Sequence, residues 1–216
     1  EMTGCISLNL FEKAYSIAEE MTQGDLTIEQ VLAEAAKAKP GADGLLFLPY
    51  LNGERAPYWN ASARAVFFGL SIRHGRQDMY RAALEGIVFA LYSVQRVFAE
   101  ENRNAPVHAS GGLARSPLWL QMLADIFGRK VIVPRSVEAS CMGAALVVLY
   151  STGWIKSWEE SKTWAPAAYE YEPDEHVHRK YEQLYAIYEE VADKLQDDFR
   201  RITTFQAQEN LNAGHH

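Results

Sequence analysis

Two glycines followed closely by a serine are the residues of this chain whose types and spacing best suit ligand binding. They lie in residues 108–128, which read HASGGLARSPLWLQMLADIFG. Gly111 and Gly112 tolerate positive φ and let the backbone approach a ligand closely. The helix predicted to begin after Ser116 leaves backbone N–H groups free for phosphate or polar nucleotide atoms. The pattern is neither GxGxxG nor a Walker A loop, so a plain strand-to-helix turn with a serine N-cap is the alternative.

Acidic side chains at two other places are candidates for chemistry. In LPYLNGERAPYW, Glu54 and Arg55 occupy a loop stiffened by proline and aromatic residues. They could pair with each other or reach a polar substrate, and a surface loop with an ion pair is an equal alternative. Asp78 and Glu85 are spaced to share one helix face and could form a carboxylate pair. Two solvated or capping acids are the favoured interpretation.

Small residues mark a third segment, VEASCMGAALVVL. Gly143, Ala144 and Ala145 would allow a helix to pack tightly against another helix or a sheet. Glu138 would place a favourable charge at the positive end of that helix. Close packing is favoured over a binding role.

Composition excludes several classes of protein. The chain has 216 residues, 48% hydrophobic and 23% charged, which is typical of a soluble globular protein. Its net charge of −7 argues against a nucleic-acid partner. No apolar run approaches the ~20 residues of a membrane span, and no signal peptide is visible, so we predict a cytoplasmic protein. Cys5 and Cys141 are predicted to be free buried thiols. His215 and His216 resemble an expression-tag remnant, and no metal-like spacing relates His74, His108, His176 and His178.

These residues must be positioned by alternating strands and helices. Helices are predicted at residues 8–20, after the N-cap Thr27, at 76–100, from the N-cap Ser116 to Gly128, at 138–149, and at 173–205. Strands are predicted in LLFLPYL and at 65–72, 107–110 and 130–134. Alternation between residues 107 and 149 predicts an α/β fold with parallel strand pairs.

Four blocks resemble the C-terminal half of the FGGY family of carbohydrate kinases. In chain order they are LPYLNGERAPYW, AVFFGLSIRHGRQDMYRAALE, SGGLARSPLWLQMLADIFG and EASCMGAAL. The second block, residues 65–85, fits the family's second signature. That signature has a small residue, an aromatic, a glycine and an aliphatic residue, then seven residues before an acid that opens a helix ending in glutamate. The resemblance covers roughly residues 4–153.

This resemblance implies an actin-like, ribonuclease-H-like α/β domain, one of two that close around ATP and a sugar. It implies that Gly111 and Gly112 lie beside the adenine and ribose, and that the Ser116 side chain approaches the nucleotide. Asn9 would flank the adenine pocket, as would Cys5, where the family more often has glycine. Phosphoryl transfer in such a kinase would use Mg²⁺ to bridge the phosphates.

The resemblance also implies a domain organisation. Residues 1–213 would form the nucleotide-side domain, with entry helices in 1–40 and a packing helix in 173–205, while 214–216 would be the tag remnant. The catalytic aspartate, most sugar contacts and both phosphate loops would belong to an N-terminal domain preceding this chain. None of Asp25, Asp78 and Asp125 would be the catalytic base, and the chain alone would be inactive.

The blocks are closer to gluconate kinases than to xylulose kinases in GERAPYWNASARAVFFGL, LYSV and EASCMGA. We therefore expect phosphorylation of gluconate to 6-phosphogluconate, with D-xylulose to xylulose 5-phosphate as the alternative. The expected partners are ATP and a small sugar or sugar acid. The oligomeric state is open, with a homodimer as the commonest form. The competing class is an actin-like module that binds nucleotide without phosphorylating anything.

Overall fold

The structure, a computed structural model, describes residues 27–98, 105–135, 139–157 and 167–213. The helices in these ranges are α1 Ile28–Ala35, α2 Arg76–Phe98, α3 Pro117–Phe127, α4 Ala139–Ser151, α5 Glu175–Lys194 and α6 Gln196–Ala213. The strands are β1 Leu46–Leu48, β2 Val66–Phe68, β3 Val107–His108, β4 Val131–Pro134 and β5 Ala167–Tyr171. The helix predicted at residues 8–20 lies outside the described residues, as do Cys5, Asn9, Asp25, Glu138 and residues 214–216, which were predicted to be a tag remnant.

The long helix α2 packs against a two-stranded antiparallel sheet. β1 and β2 pair with Leu46 opposite Phe68, and every residue of β1 is buried. A Cβ at Gly86 would collide with the carbonyl oxygen of Phe47, so only glycine lets α2 approach β1 this closely. The strand predicted at 65–72 ends early because Gly69 turns the chain with φ +87°.

A second sheet follows the predicted parallel pattern. β3 pairs in parallel with β4, with Val107 opposite Val131, and α3 is the crossover helix between them. The predicted parallel pairing is therefore confirmed for this one pair of strands. β5, which the sequence pattern did not predict, adds to the other edge of β4 in the antiparallel direction.

The prediction of a single helix over residues 173–205 is wrong. Two helices occupy this region, and Leu195 separates them with φ −85° and ψ 0°. Gln196 bridges the junction because its amide nitrogen donates to the Ala192 carbonyl at 2.7 Å. Its amide oxygen accepts from Asn60 Nδ2 at 2.6 Å. The apolar period continues across the junction to the buried Phe199, so the periodicity gave no sign of the break.

Tyrosine rings fill the space between α2, α5 and the loop after β1. Phe89 lies at their centre, with ring centroids 5.4–5.9 Å from those of three α5 tyrosines. Together with Tyr50 these residues form a set that we call the buried tyrosines: Tyr50, Tyr181, Tyr185 and Tyr188. Burial raises the pKa of all four hydroxyls well above the ordinary value.

The favoured interpretation of Asp78 and Glu85 as solvated or capping acids holds for Asp78 and is wrong for Glu85. Asp78 is a capping acid, as predicted, and accepts from the Gly75 N–H at 2.8 Å. Glu85 is fully buried instead of solvated. Its Oε1 accepts from the Gly41 N–H at 2.8 Å, from Arg81 Nε at 2.6 Å and from the Tyr181 hydroxyl at 2.6 Å. We call these four residues the Glu85 network, and it joins α2 to α5 and to the turn before β1.

Candidate functional site

The glycine loop connects β3 to α3. The Ala109 N–H donates to the Ile132 carbonyl at 3.0 Å, which continues the parallel pairing up to the loop. Gly111 has φ +76°, a value that glycine adopts at little cost. Gly112 begins a short 3-10 helix, Gly112–Arg115, which was not predicted. Gly112 is exposed and Ser116 is half-buried, so both are open to a ligand from solvent.

Helix α3 starts and ends where the sequence predicts. Ser116 is the N-cap, its Oγ accepts from the Trp119 N–H at 3.4 Å, and Pro117 is the first helical residue. Gly128 ends the helix in the left-handed region with φ +61°. The turn and the N-cap are therefore present, and the backbone N–H groups at a helix start in general suit an anion.

The far end of α3 is bound to the start of α5. Asp125 is buried, and its Oδ1 accepts from Gln121 Nε2 at 2.8 Å and from the Asp174 N–H at 2.9 Å. His178 contacts the Asp125 carbonyl through Nδ1 at 2.8 Å. His176 and His178 lie in the first turn of α5. These contacts fix α3, and with it the position of the glycine loop.

The GERAPYW segment forms a closed loop. The Glu54 N–H donates to the Asn60 carbonyl at 2.8 Å, and the two residues form an antiparallel bridge. Glu54 Oε2 accepts from the N–H groups of Tyr58 at 2.9 Å and Trp59 at 3.1 Å. Burial raises the pKa of the Glu54 carboxyl, and these N–H donors oppose the rise. Of the alternatives left open for Glu54 and Arg55, a mutual ion pair is not formed: Glu54 accepts from backbone N–H groups, and Arg55 is exposed.

Helix α4 does not show the predicted close packing within the described residues. A Cβ at Gly143 would meet nothing within 4 Å, and Ala144 and Ala145 are exposed. Cys141 is a free cysteine and is exposed, so the prediction of a buried thiol is wrong for this residue. The small side chains permit close packing, but the described part of the chain places no partner against them.

Neither a metal-binding cluster nor a membrane-spanning helix occurs in the described ranges. The described residues include no group of three or more His, Cys, Asp or Glu side chains that could hold a metal ion. Over those residues, no helix combines the length and the apolar character needed to cross a membrane.

Comparisons with known proteins identify the family. The model of the FGGY family of carbohydrate kinases, C-terminal domain, matches residues 7–152. The gluconokinase of Bacillus licheniformis is 38% identical over 208 residues, which cover 94% of this chain and 40% of that protein. A xylulose kinase of Staphylococcus epidermidis is 37% identical over 167 residues, covering 76% of this chain and 34% of that protein. The chain thus spans about 40% or less of the length of these relatives.

Solved structures agree with the sequence comparisons. The gluconate kinase from Lactobacillus acidophilus superposes with a TM-score of 0.78 at 30% identity, covering 83% of this chain and 37% of that one. The predicted fold, the actin-like α/β domain of the sugar kinases, is confirmed. The chain belongs to the FGGY family of carbohydrate kinases and matches its C-terminal domain.

Proposed function

We propose that residues 1–213 form the nucleotide-side domain of an ATP-dependent carbohydrate kinase. Such an enzyme transfers the γ-phosphate of ATP to a hydroxyl of a sugar or sugar acid. Family membership supports this proposal, as does the glycine loop at the carboxyl end of β3. In open α/β sheets, ligands commonly bind beside the carboxyl ends of the strands.

The observation that carries the proposal is the positive φ of Gly111 in the loop that precedes a capped helix. In this proposal, Gly111 and Gly112 lie against the adenine and ribose, and the Ser116 side chain contacts the nucleotide. Asn9, outside the described residues, flanks the adenine. Gly111 and Gly112 carry no side chains, so the flat adenine base can approach the backbone of the loop closely in this proposal.

ATP supplies the phosphoryl group, and Mg²⁺ would arrive with it, held mainly by phosphate oxygens and water. The residues of this chain bind and orient the donor. We propose that the catalytic base and most sugar contacts come from outside these residues, so that the chain alone is inactive. Rate enhancement then depends on how well the nucleotide bound by this chain is aligned with the catalytic base and the sugar.

The proposed acceptor is D-gluconate, with D-xylulose as the second candidate, because relatives of both names match this chain. The two differ chemically, since gluconate carries a carboxylate and xylulose is neutral. We also propose a cytoplasmic location, which suits the free, exposed Cys141. The oligomeric state stays open, with a homodimer as the commonest form.

Calorimetry with MgADP tests the placement of the nucleotide. Gly111→Ala should weaken binding at least about tenfold, because a Cβ would enter the adenosine side of the site. Gly153→Ala is the matched control, since Gly153 has the same φ of +76° and lies beyond α4. Equal affinity of the two variants would refute the placement, because both carry the same backbone strain.

A second measurement separates the kinase from the alternative class. A coupled ADP-release assay with D-gluconate and D-xylulose is run on the intact kinase to which we assign this chain. ADP release that depends on the sugar supports the kinase. MgADP binding with no sugar-dependent ADP release would favour a nucleotide-binding module instead.

A further inference from the structure

Arg55 and Trp59 face solvent together on the GERAPYW loop. The bridge between Glu54 and Asn60 closes this loop at its base. Arg55 directly follows Glu54 and Trp59 directly precedes Asn60, so both residues belong to the short loop that this bridge closes. Both side chains are exposed, and 79% of Trp59 is accessible to solvent.

Trp59 has an unfavourable backbone conformation as well as an exposed ring. Its φ is +51°, in the left-handed region that bulky side chains rarely adopt. Such strain persists only when the surroundings hold it, and it is often found at functional sites. Here the Glu54 carboxylate holds the Trp59 N–H, and Asn60 is bound to Gln196 on α6.

The base of the loop is tightly constrained too. Gly53 has φ +79°, and a Cβ there would lie 2.9 Å from backbone atoms of Ala61. The Asn60 Oδ1 accepts from the Ser62 N–H at 2.8 Å. The loop is therefore a fixed platform that presents one cation and one large flat ring.

We propose that Arg55 and Trp59 form a contact site for a sugar acid. This inference rests on the proposed function and selects the acceptor class, a polyhydroxy carboxylate over a neutral ketose. The Trp59 indole face covers the C–H groups of the ligand's carbon chain. The Arg55 guanidinium forms a bidentate salt bridge with the ligand's carboxylate. Arg55 forms no ion pair with any of the described residues, so its guanidinium group is available to bind an anion.

Nuclear magnetic resonance of the ¹⁵N-labelled chain tests this site with sodium D-gluconate as the probe. D-Glucitol, which has the same carbon chain without the carboxylate, is the matched ligand. We expect gluconate to shift the Trp59 indole N–H signal, assigned with Trp59→Phe, and the Arg55 Nε–H signal. Glucitol should bind at least about tenfold more weakly, because it lacks the charge-assisted bond.

Variants of exposed residues serve as controls without threatening the fold. Arg55→Gln should weaken gluconate binding at least about tenfold, and Arg55→Lys should recover only part of it, because lysine lacks the fork. Arg179→Gln, on the exposed side of α5, should change nothing. Trp154→Phe is matched to Trp59→Phe because Trp154 is 80% exposed elsewhere on the chain, and its signal should not respond to gluconate.

The inference is overturned if gluconate leaves the Trp59 signal unmoved, if glucitol binds equally well, or if Arg55→Gln binds like the parent. MgADP binding to the same variants is measured separately and should be unchanged. MgADP binding without a gluconate response overturns this site and leaves the proposed kinase intact. A gluconate response without MgADP binding supports this site and contradicts the proposed nucleotide placement.

Discussion

Removing one hydroxyl from the Glu85 network should cost much more stability than removing a similar hydroxyl elsewhere in the core. Tyr181→Phe deletes a group that donates to Glu85 at 2.6 Å and accepts from Arg81 Nη2 at 2.9 Å. Both partners are charged and buried. The ring is kept, so its edge contact with Phe89 is kept as well.

The expected cost follows from the partners that are left behind. A hydrogen bond to a charged group contributes about 1.5–3 kcal/mol, and two are lost here. Glu85 still accepts from Gly41 and from Arg81, which reduces the damage. We therefore expect Tyr181→Phe to lower the free energy of unfolding by about 2–4 kcal/mol.

Tyr188→Phe is the matched control. Tyr188 is as deeply buried, but its hydroxyl contacts only the neutral hydroxyl of Tyr50, at 3.1 Å, among the bonds described for it. Its loss should cost about 0.5–1.5 kcal/mol. Urea unfolding followed by circular dichroism, with linear extrapolation, measures both variants. The reasoning is refuted if Tyr181→Phe is no more destabilising than Tyr188→Phe at an unchanged m-value.

Four further outcomes are expected. Gly86→Ala should lower the free energy of unfolding by about 1–3 kcal/mol, because its Cβ would collide with the Phe47 carbonyl. Gly143→Ala, in open space within a helix, should raise the free energy of unfolding by about 0.5–1 kcal/mol. A melting temperature that is higher for Gly86→Ala than for Gly143→Ala would contradict both expectations. The folded state keeps the buried tyrosines protonated, so the unfolded state binds fewer protons at high pH and stability should fall as pH rises above about 10. Absorbance at 295 nm should then show these hydroxyls ionising only with unfolding, and full ionisation of a folded chain near pH 10 would oppose this. Gly112→Val should weaken MgADP binding while leaving the gluconate response of Trp59 unchanged, and equal MgADP affinity by calorimetry would count against the adenine placement.

Local features of the fold were predictable because their causes lie within a few residues. Thr27 forms a capping box with Gln30, and its side chain accepts from the Gln30 N–H. Ser116, followed by proline, starts α3, and Gly128 ends it. In each case the group that satisfies the backbone is close in the sequence, so the residue types alone identify the helix ends.

Features that depend on distant residues could not be predicted. The partners of Glu85 include Gly41, 44 residues earlier, and Tyr181, 96 residues later. Helical spacing puts Glu85 on one face of α2 but does not say whether that face meets water or α5. Gln196, the first residue after the break at Leu195, likewise accepts from Asn60, which is 136 residues away.

The candidate nucleotide site lies between these cases. Glycine's tolerance of positive φ correctly indicated the geometry of Gly111, whereas Gly112 begins a 3-10 helix that no pattern revealed. The roles of Gly112, Ser116 and Asn9 come from the family resemblance and stay predictions. The strained Trp59 could not be anticipated, because a tryptophan in a loop gives no sign of its backbone angle.

The Glu85 network also constrains how the protein is made. Glu85 and Arg81 leave the ribosome well before Tyr181, and a gap of 96 residues takes about 5–20 s at ordinary rates of synthesis. During that interval the two charges have no tyrosine hydroxyl to bind, so closing the core around them is unfavourable. We therefore expect this domain to complete folding only after α5 has emerged, and nascent chains stalled before Tyr181 to stay sensitive to protease.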